Sequence, residues 1–171
     1  MKDILLVDGY NIIGAWAEAE QKDWPVDECR DRLANMLEEY AALNNIYVVL
    51  VFDGYKSDKI ATHIEKKKHI EIVFTKKDET ADHYIEKTVY NAPKFIKTYV
   101  ATSDGLQQAS ILGDGAFRIS SREMLRLLYG MGKRKSKQFG SESKKNSIAD
   151  RLPDDLLQKL EQYRRTNRKE L

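Results

Sequence analysis

Acidic residues in this chain stand where its apolar runs stop. Asp8 follows Ile4-Leu5-Leu6-Val7, Asp53 follows the run Ile46 to Phe52, and Asp104 closes Thr102-Ser103-Asp104 after the run Ile96 to Ala101. Asp82 comes shortly after Ile70 to Phe74, with Glu79 three residues before it and Glu86 four residues after, so the three share one helical face. Carboxylates held side by side cannot all stay ionised without a compensating charge. A hard divalent cation, Mg²⁺ or Mn²⁺, supplies that charge and suits an oxygen-rich donor set. Such a centre binds a phosphate, activates a water and stabilises the leaving oxygen of an in-line displacement. Each acid also has an ordinary reading. Asp104 suits a helix N-cap, Asp53 before Gly54 suits a turn, and Glu79 and Glu86 suit a helix surface. Asp8 is harder to dismiss, because it ends a buried strand at a tight turn.

The elements that must position these acids alternate in type. Ile4–Val7, Ile46–Phe52, Ile70–Phe74 and Ile96–Ala101 read as buried strands, with a shorter one at Ala116–Ile119. The first two are continuous rather than alternating, as in strands covered on both faces. Val26, Cys29, Leu33, Met36, Leu37 and Tyr40 recur at helical spacing, and Ala81, Tyr84, Ile85 and Thr88 form a second stripe. A short helix is expected over 104–112, closed by Gly113. Ser120 and Glu123 have the spacing of a capping box before a helix that Gly130 can end. Strands separated by helices imply a mostly parallel sheet in a Rossmann-like α/β fold. In such a fold ligands bind beyond the carboxyl ends of the strands, where strand order reverses. Asp8, Asp82 and Asp104 can converge there.

Other chemistries lose support. The first turn, Asp8-Gly9-Tyr10-Asn11, lacks the dinucleotide-binding glycine pattern, and the chain has no P-loop sequence. Cys29 is the one cysteine, which excludes a disulfide framework and a cysteine-based zinc site. His63, His69 and His83 do not have metal-ligand spacing. No apolar run approaches the ~20 residues of a membrane span, and no basic-then-apolar leader opens the sequence. A cytoplasmic protein is expected. A phosphatase using Asp8 as nucleophile is disfavoured, because Gly9-Tyr10 offers no second acid two residues on.

The 171 residues suit one domain, and their net charge of +2 hides an asymmetry. Residues 1–130 carry 17 Lys+Arg against 21 Asp+Glu, whereas residues 131–171 carry 12 against 6. A body over 1–130, a basic flexible loop over 131–149 and a C-terminal helix over 150–171 are expected. Lys133, Arg134, Lys135 and Lys137 in the loop suit phosphate contacts, against the alternative of a solvated linker. Tyr10 and Tyr55 follow strand-end acids and could stack on bases. Trp16 and Trp24 read as structural anchors.

Leu5-Leu6-Val7-Asp8-Gly9-Tyr10-Asn11, Val51-Phe52-Asp53, Phe74-Thr75 with Glu79-Thr80-Ala81-Asp82, and Val100-Ala101-Thr102-Ser103-Asp104 resemble, in that order, the YacP-like family. These are bacterial NYN-domain proteins related to PIN-domain nucleases. The resemblance implies a three-layer PIN/NYN fold and a metal-dependent endoribonuclease that cuts single-stranded RNA, with mRNA on the translating ribosome as its setting. It implies Asp8, Asp82 and Asp104 as catalytic metal ligands, Asp53 and Glu79 as helpers, and Asn11 as a group orienting a carboxylate, water or phosphate. The rival is a non-catalytic RNA- or ribosome-binding adaptor of the same fold. A monomer is expected, since no strand is obviously left to pair.

Overall fold

The computed structural model describes residues 2–54, 60–103 and 115–135, with side chains in the last stretch as far as Met131. Asp104, Tyr55, Lys137, the helix expected over 104–112 and the C-terminal helix over 150–171 lie outside the described residues.

Among the described residues six strands form one sheet: β1 (Ile4–Asp8), β2 (Tyr47–Phe52), β3 (His63–Lys66), β4 (Ile70–Phe74), β5 (Thr98–Ala101) and β6 (Phe117–Ile119). Their order is β3-β4-β2-β1-β5-β6, and all pairs are parallel except β3 with β4. The order reverses between β1 and β5, because β1 pairs with β2 on one side and β5 on the other. In register, Asp8 lies opposite Val51, and Val7 lies opposite both Leu50 and Ala101. The carboxyl ends of β1, β2 and β5 are therefore level.

The helices are α1 (Gly9–Gly14), α2 (Ala17–Gln21), α3 (Val26–Asn44), α4 (Ala81–Asn91) and α5 (Ser121–Lys135). Successive strand residues face opposite layers. Leu5 and Val7 join Leu33, Leu37, Tyr40 and Met124 in a core beneath α1, α3 and α5, while Leu6 joins Val49, Val73, Ile85 and Val89 beneath α4. Both faces of the central strands are covered, which is why those strands read as unbroken apolar runs. The expected mostly parallel α/β architecture is the one observed.

Three local features differ from the sequence reading. His63-Ile64-Glu65-Lys66 forms an antiparallel edge strand, where the sequence reading has no strand. All four residues are exposed, so no buried face betrays the strand. Its Lys66 pairs with Glu71 of β4 at 2.9 Å, and a lysine on an edge discourages further pairing. The short α2 carries too little periodicity to be expected. Gly130 does not end α5, which runs on to Lys135 and so takes in the first residues expected to form the basic loop. The capping box is present: the Ser120 backbone N–H donates to Glu123 Oε2 at 2.8 Å, and the Glu123 N–H donates to Ser120 Oγ at 3.3 Å.

Candidate active site

Asp8 is both the last residue of β1 and the N-cap of α1. Its Oδ1 accepts a hydrogen bond from the Asn11 backbone N–H at 3.1 Å. The following turn must hug the sheet. A Cβ on Gly9 would lie 2.2 Å from Phe52 Cε1, so a side chain there would push Asp8 off β2. Gly54 is confined more severely, because its Cβ would lie 1.7 Å from the Thr75 carbonyl oxygen. Its N–H donates to Thr75 Oγ1 at 2.9 Å, locking the β2 end to the β4 end and with it the backbone beside Asp53.

The electrostatics follow from this crowding. Asp8 is only 7% exposed. Its pKa is raised to about 6, first by burial, then by the Asp82 carboxyl within hydrogen-bonding contact and by the charge of Asp53. The Asn11 N–H works in the opposite direction. Asp82 reaches this position from the first turn of α4, whose N-cap Thr80 accepts from the His83 N–H at 3.1 Å. Asp8 and Asp82 thus touch at the carboxyl end of the sheet, and Asp53, just past the end of β2, is near enough for Asp8 to feel its charge.

Asn11 serves the opposite wall. Its Oδ1 accepts from the Ser103 N–H and from Ser121 Oγ, each at 3.0 Å. Ser103 Oγ in turn accepts from the Ser121 N–H at 3.2 Å. The Asn11 amide oxygen thereby ties α1 to the end of β5 and the start of α5. Glu79 is half-buried and accepts from Thr62 Oγ1 at 3.2 Å, a contact that holds it towards β3. His83 is exposed, as its position on the helix suggests.

Ser121, Thr75 and Arg30 are not singled out by the sequence. Ser121 and Thr75 are almost wholly buried hydroxyls whose partners are distant in the chain, so only the fold reveals them. Arg30, on the first turns of α3, donates to the Tyr10 hydroxyl at 3.3 Å, pairs with Asp27 and lies over the Phe74 ring. Tyr10 packs edge-on against Phe52 with ring centroids 5.1 Å apart and keeps 37% of its surface exposed beside Asp8. Trp16 is buried and packs edge-on against Trp24, which makes it the anchor expected.

Among the described residues no three His, Cys, Asp or Glu side chains are grouped closely enough to enclose a metal ion. The donor chemistry nonetheless fits a hard cation. The converging groups are carboxylates, and a pair in mutual contact with one member buried needs either a proton or a cation between them.

A family model described as the YacP-like NYN domain matches residues 5–165. The chain belongs to this family. It is 39% identical over 172 residues to the Bacillus subtilis (strain 168) protein YacP, described only as uncharacterized, covering 95% of this chain and 97% of that protein. Two crystal structures of Rae1 (YacP) from Bacillus subtilis superpose on it. One, of a point mutant, gives a TM-score of 0.68 at 37% identity, covering 79% of this chain and 80% of the other. The second structure gives 0.66 at 38% identity, covering 80% and 79%. The fold is PIN-like, and membership of the NYN family is consistent with an RNA nuclease. No helix among the described residues is long and apolar enough to cross a membrane.

Proposed function

We propose that this chain is a metal-dependent endoribonuclease that hydrolyses single-stranded RNA, with mRNA on the translating ribosome as its substrate. The observation that carries this reading is the contact between Asp8 and Asp82, with the charge of Asp53 nearby, beyond the carboxyl ends of the strands and beside the point where strand order reverses. Asp8 and Asp82, with Asp104, would hold Mg²⁺ or Mn²⁺. When bound, the cation supplies a Lewis acid for the scissile phosphate and an activated water. The chain's own part is positional. The Asn11 N–H orients Asp8 Oδ1, and the rigid Gly54–Thr75 contact keeps Asp53 at the rim. The Asn11–Ser103–Ser121 hydrogen bonds fix the wall facing the carboxylates. Preorganisation of this kind lets a site act without rearranging as charge develops. Cleavage would leave a 5′-phosphate and a 3′-hydroxyl.

The test is a map of new mRNA 5′ ends in a translating extract, comparing wild type with Asp8→Asn/Asp82→Asn, with and without a translation inhibitor. Ends made only by wild type, and lost when translation is blocked, are the expected result. Equal ends from wild type and variant would overturn catalysis, and ends that persist without translation would overturn the ribosomal setting.

A further inference from the structure

α5 leads away from the carboxylates. Its first residue, Ser121, is hydrogen-bonded to Asn11 in the site wall, and its next exposed turns carry Arg122 and Arg126. Both arginines line a groove of about 540 Å³ between α5 and the α1–α2 connection, with Trp16, Glu18 and Tyr129 on its other sides. Among the described residues neither arginine is in an ion pair, whereas the groove's one carboxylate, Glu18, is neutralised by Lys22 at 2.6 Å. The Tyr129 ring is fixed as a wall. It packs edge-on to Trp16, its hydroxyl accepts from Trp16 Nε1 at 2.6 Å, and it donates to Glu18. Positions 122, 126 and 129 follow one helical stripe, so the groove runs along α5 away from the site.

We propose that Arg122 and Arg126 bind consecutive phosphates of the RNA strand on one side of the cleavage point, making this groove the strand's path away from the carboxylates. The proposal rests on RNA being the substrate. It follows from charge complementarity. Carboxylates at the site repel a polyanion, and two guanidiniums one turn apart on an adjoining helix offset that repulsion and set the strand's direction. A flat aromatic wall beside them suits a base, since every base presents a stackable face.

The test is binding of a fluorescein-labelled oligouridylate by the full chain in EDTA, measured as a function of salt. Each lost phosphate contact should lower the slope of log affinity against log salt by about 0.7, so Arg122→Gln/Arg126→Gln should lower it by about 1.4. Between about 50 and 200 mM salt, wild type should then lose affinity about sevenfold more than the double variant. Arg122→Lys/Arg126→Lys should keep the wild-type slope, which a purely structural role would not predict. An unchanged slope in the Gln variant overturns the proposal, and so does a wild type that does not bind the probe. If the slope is unchanged while wild-type-only 5′ ends are still made, the groove assignment fails and the nuclease reading stands. If the slope shifts but acid variants make the same ends as wild type, the groove stands and the nuclease reading fails.

Discussion

Ser121 Oγ donates to Asn11 Oδ1 at 3.0 Å across 110 residues of sequence, joining the first turn of α1 to the first turn of α5. The hydroxyl is fully buried. Removing it leaves Asn11 held on this side by the Ser103 N–H alone. Ser121→Ala should cost about 1 kcal/mol of stability, a fall in Tm of roughly 2–4 °C, and should lower the cleavage rate. Calorimetry together with a cleavage assay checks this. Unchanged values in both would show that the contact positions nothing.

Asp8 should be a stability liability when no divalent cation is present. Its folded pKa of about 6 lies above the ordinary value of 3.8, so between those limits the folded state binds more protons than the unfolded state. The stabilising contribution is complete below pH ~4 and is lost as pH rises through about 6. Asp8→Asn keeps a good N-cap and removes the buried charge. In EDTA at about pH 7.5 it should be more stable than wild type by up to about 3 kcal/mol, with the difference gone near pH ~4. Urea unfolding at the two pH values decides the matter, and a less stable Asp8→Asn at the higher pH would contradict it.

Divalent cations should offset that liability. Mg²⁺ or Mn²⁺ at a hundredfold excess over its dissociation constant stabilises the folded state by about 2.7 kcal/mol. Wild type should gain this shift on metal addition and lose it to EDTA, whereas Asp8→Asn/Asp82→Asn should gain little. The shift should shrink below about pH 6, where Asp8 takes up a proton instead. Thermal melts with and without metal read it directly. Equal shifts in both proteins would place the cation elsewhere.

The glycines divide by the space around them. Gly54→Ala drives a Cβ to 1.7 Å from the Thr75 carbonyl oxygen, a backbone atom that cannot swing aside. It should destabilise the fold by about 2 kcal/mol or more and disturb Asp53. Gly130 has nothing within 4 Å of the same position and sits inside α5, so Gly130→Ala should stabilise by about 0.5–1 kcal/mol. Denaturant midpoints of the two variants should move in opposite directions.

Legibility from sequence tracked the range of the interactions. Asp8 and Asp53 could be placed because a buried parallel strand announces itself as an apolar run, and its end is then visible as the first acid. Asp82 could be placed because helical periodicity puts it on the first turn after the next strand. The edge strand His63–Lys66 escaped because an exposed strand need not alternate. Gly130 misled because a glycine near a helix end is a common terminator, but α5 continues through it, with Met131 buried against the core.

Alternation of apolar runs and helical stripes was enough, by itself, to determine a mostly parallel α/β sheet and to put carboxylates at its carboxyl edge, because these features depend on neighbours a few residues apart. Which carboxylates touch, and how strongly, was decided only in three dimensions. Asp8 and Asp82 meet because β1 and β4 both run parallel to β2, which puts the end of β1 and the start of α4 on the same edge, and burial, which no local pattern encodes, is the main reason the Asp8 pKa rises to about 6. The same holds for the Asn11–Ser121 bond and for Arg122 and Arg126 along their groove. Packing α5 beside α1 brings together residues that the chain keeps 110 positions apart.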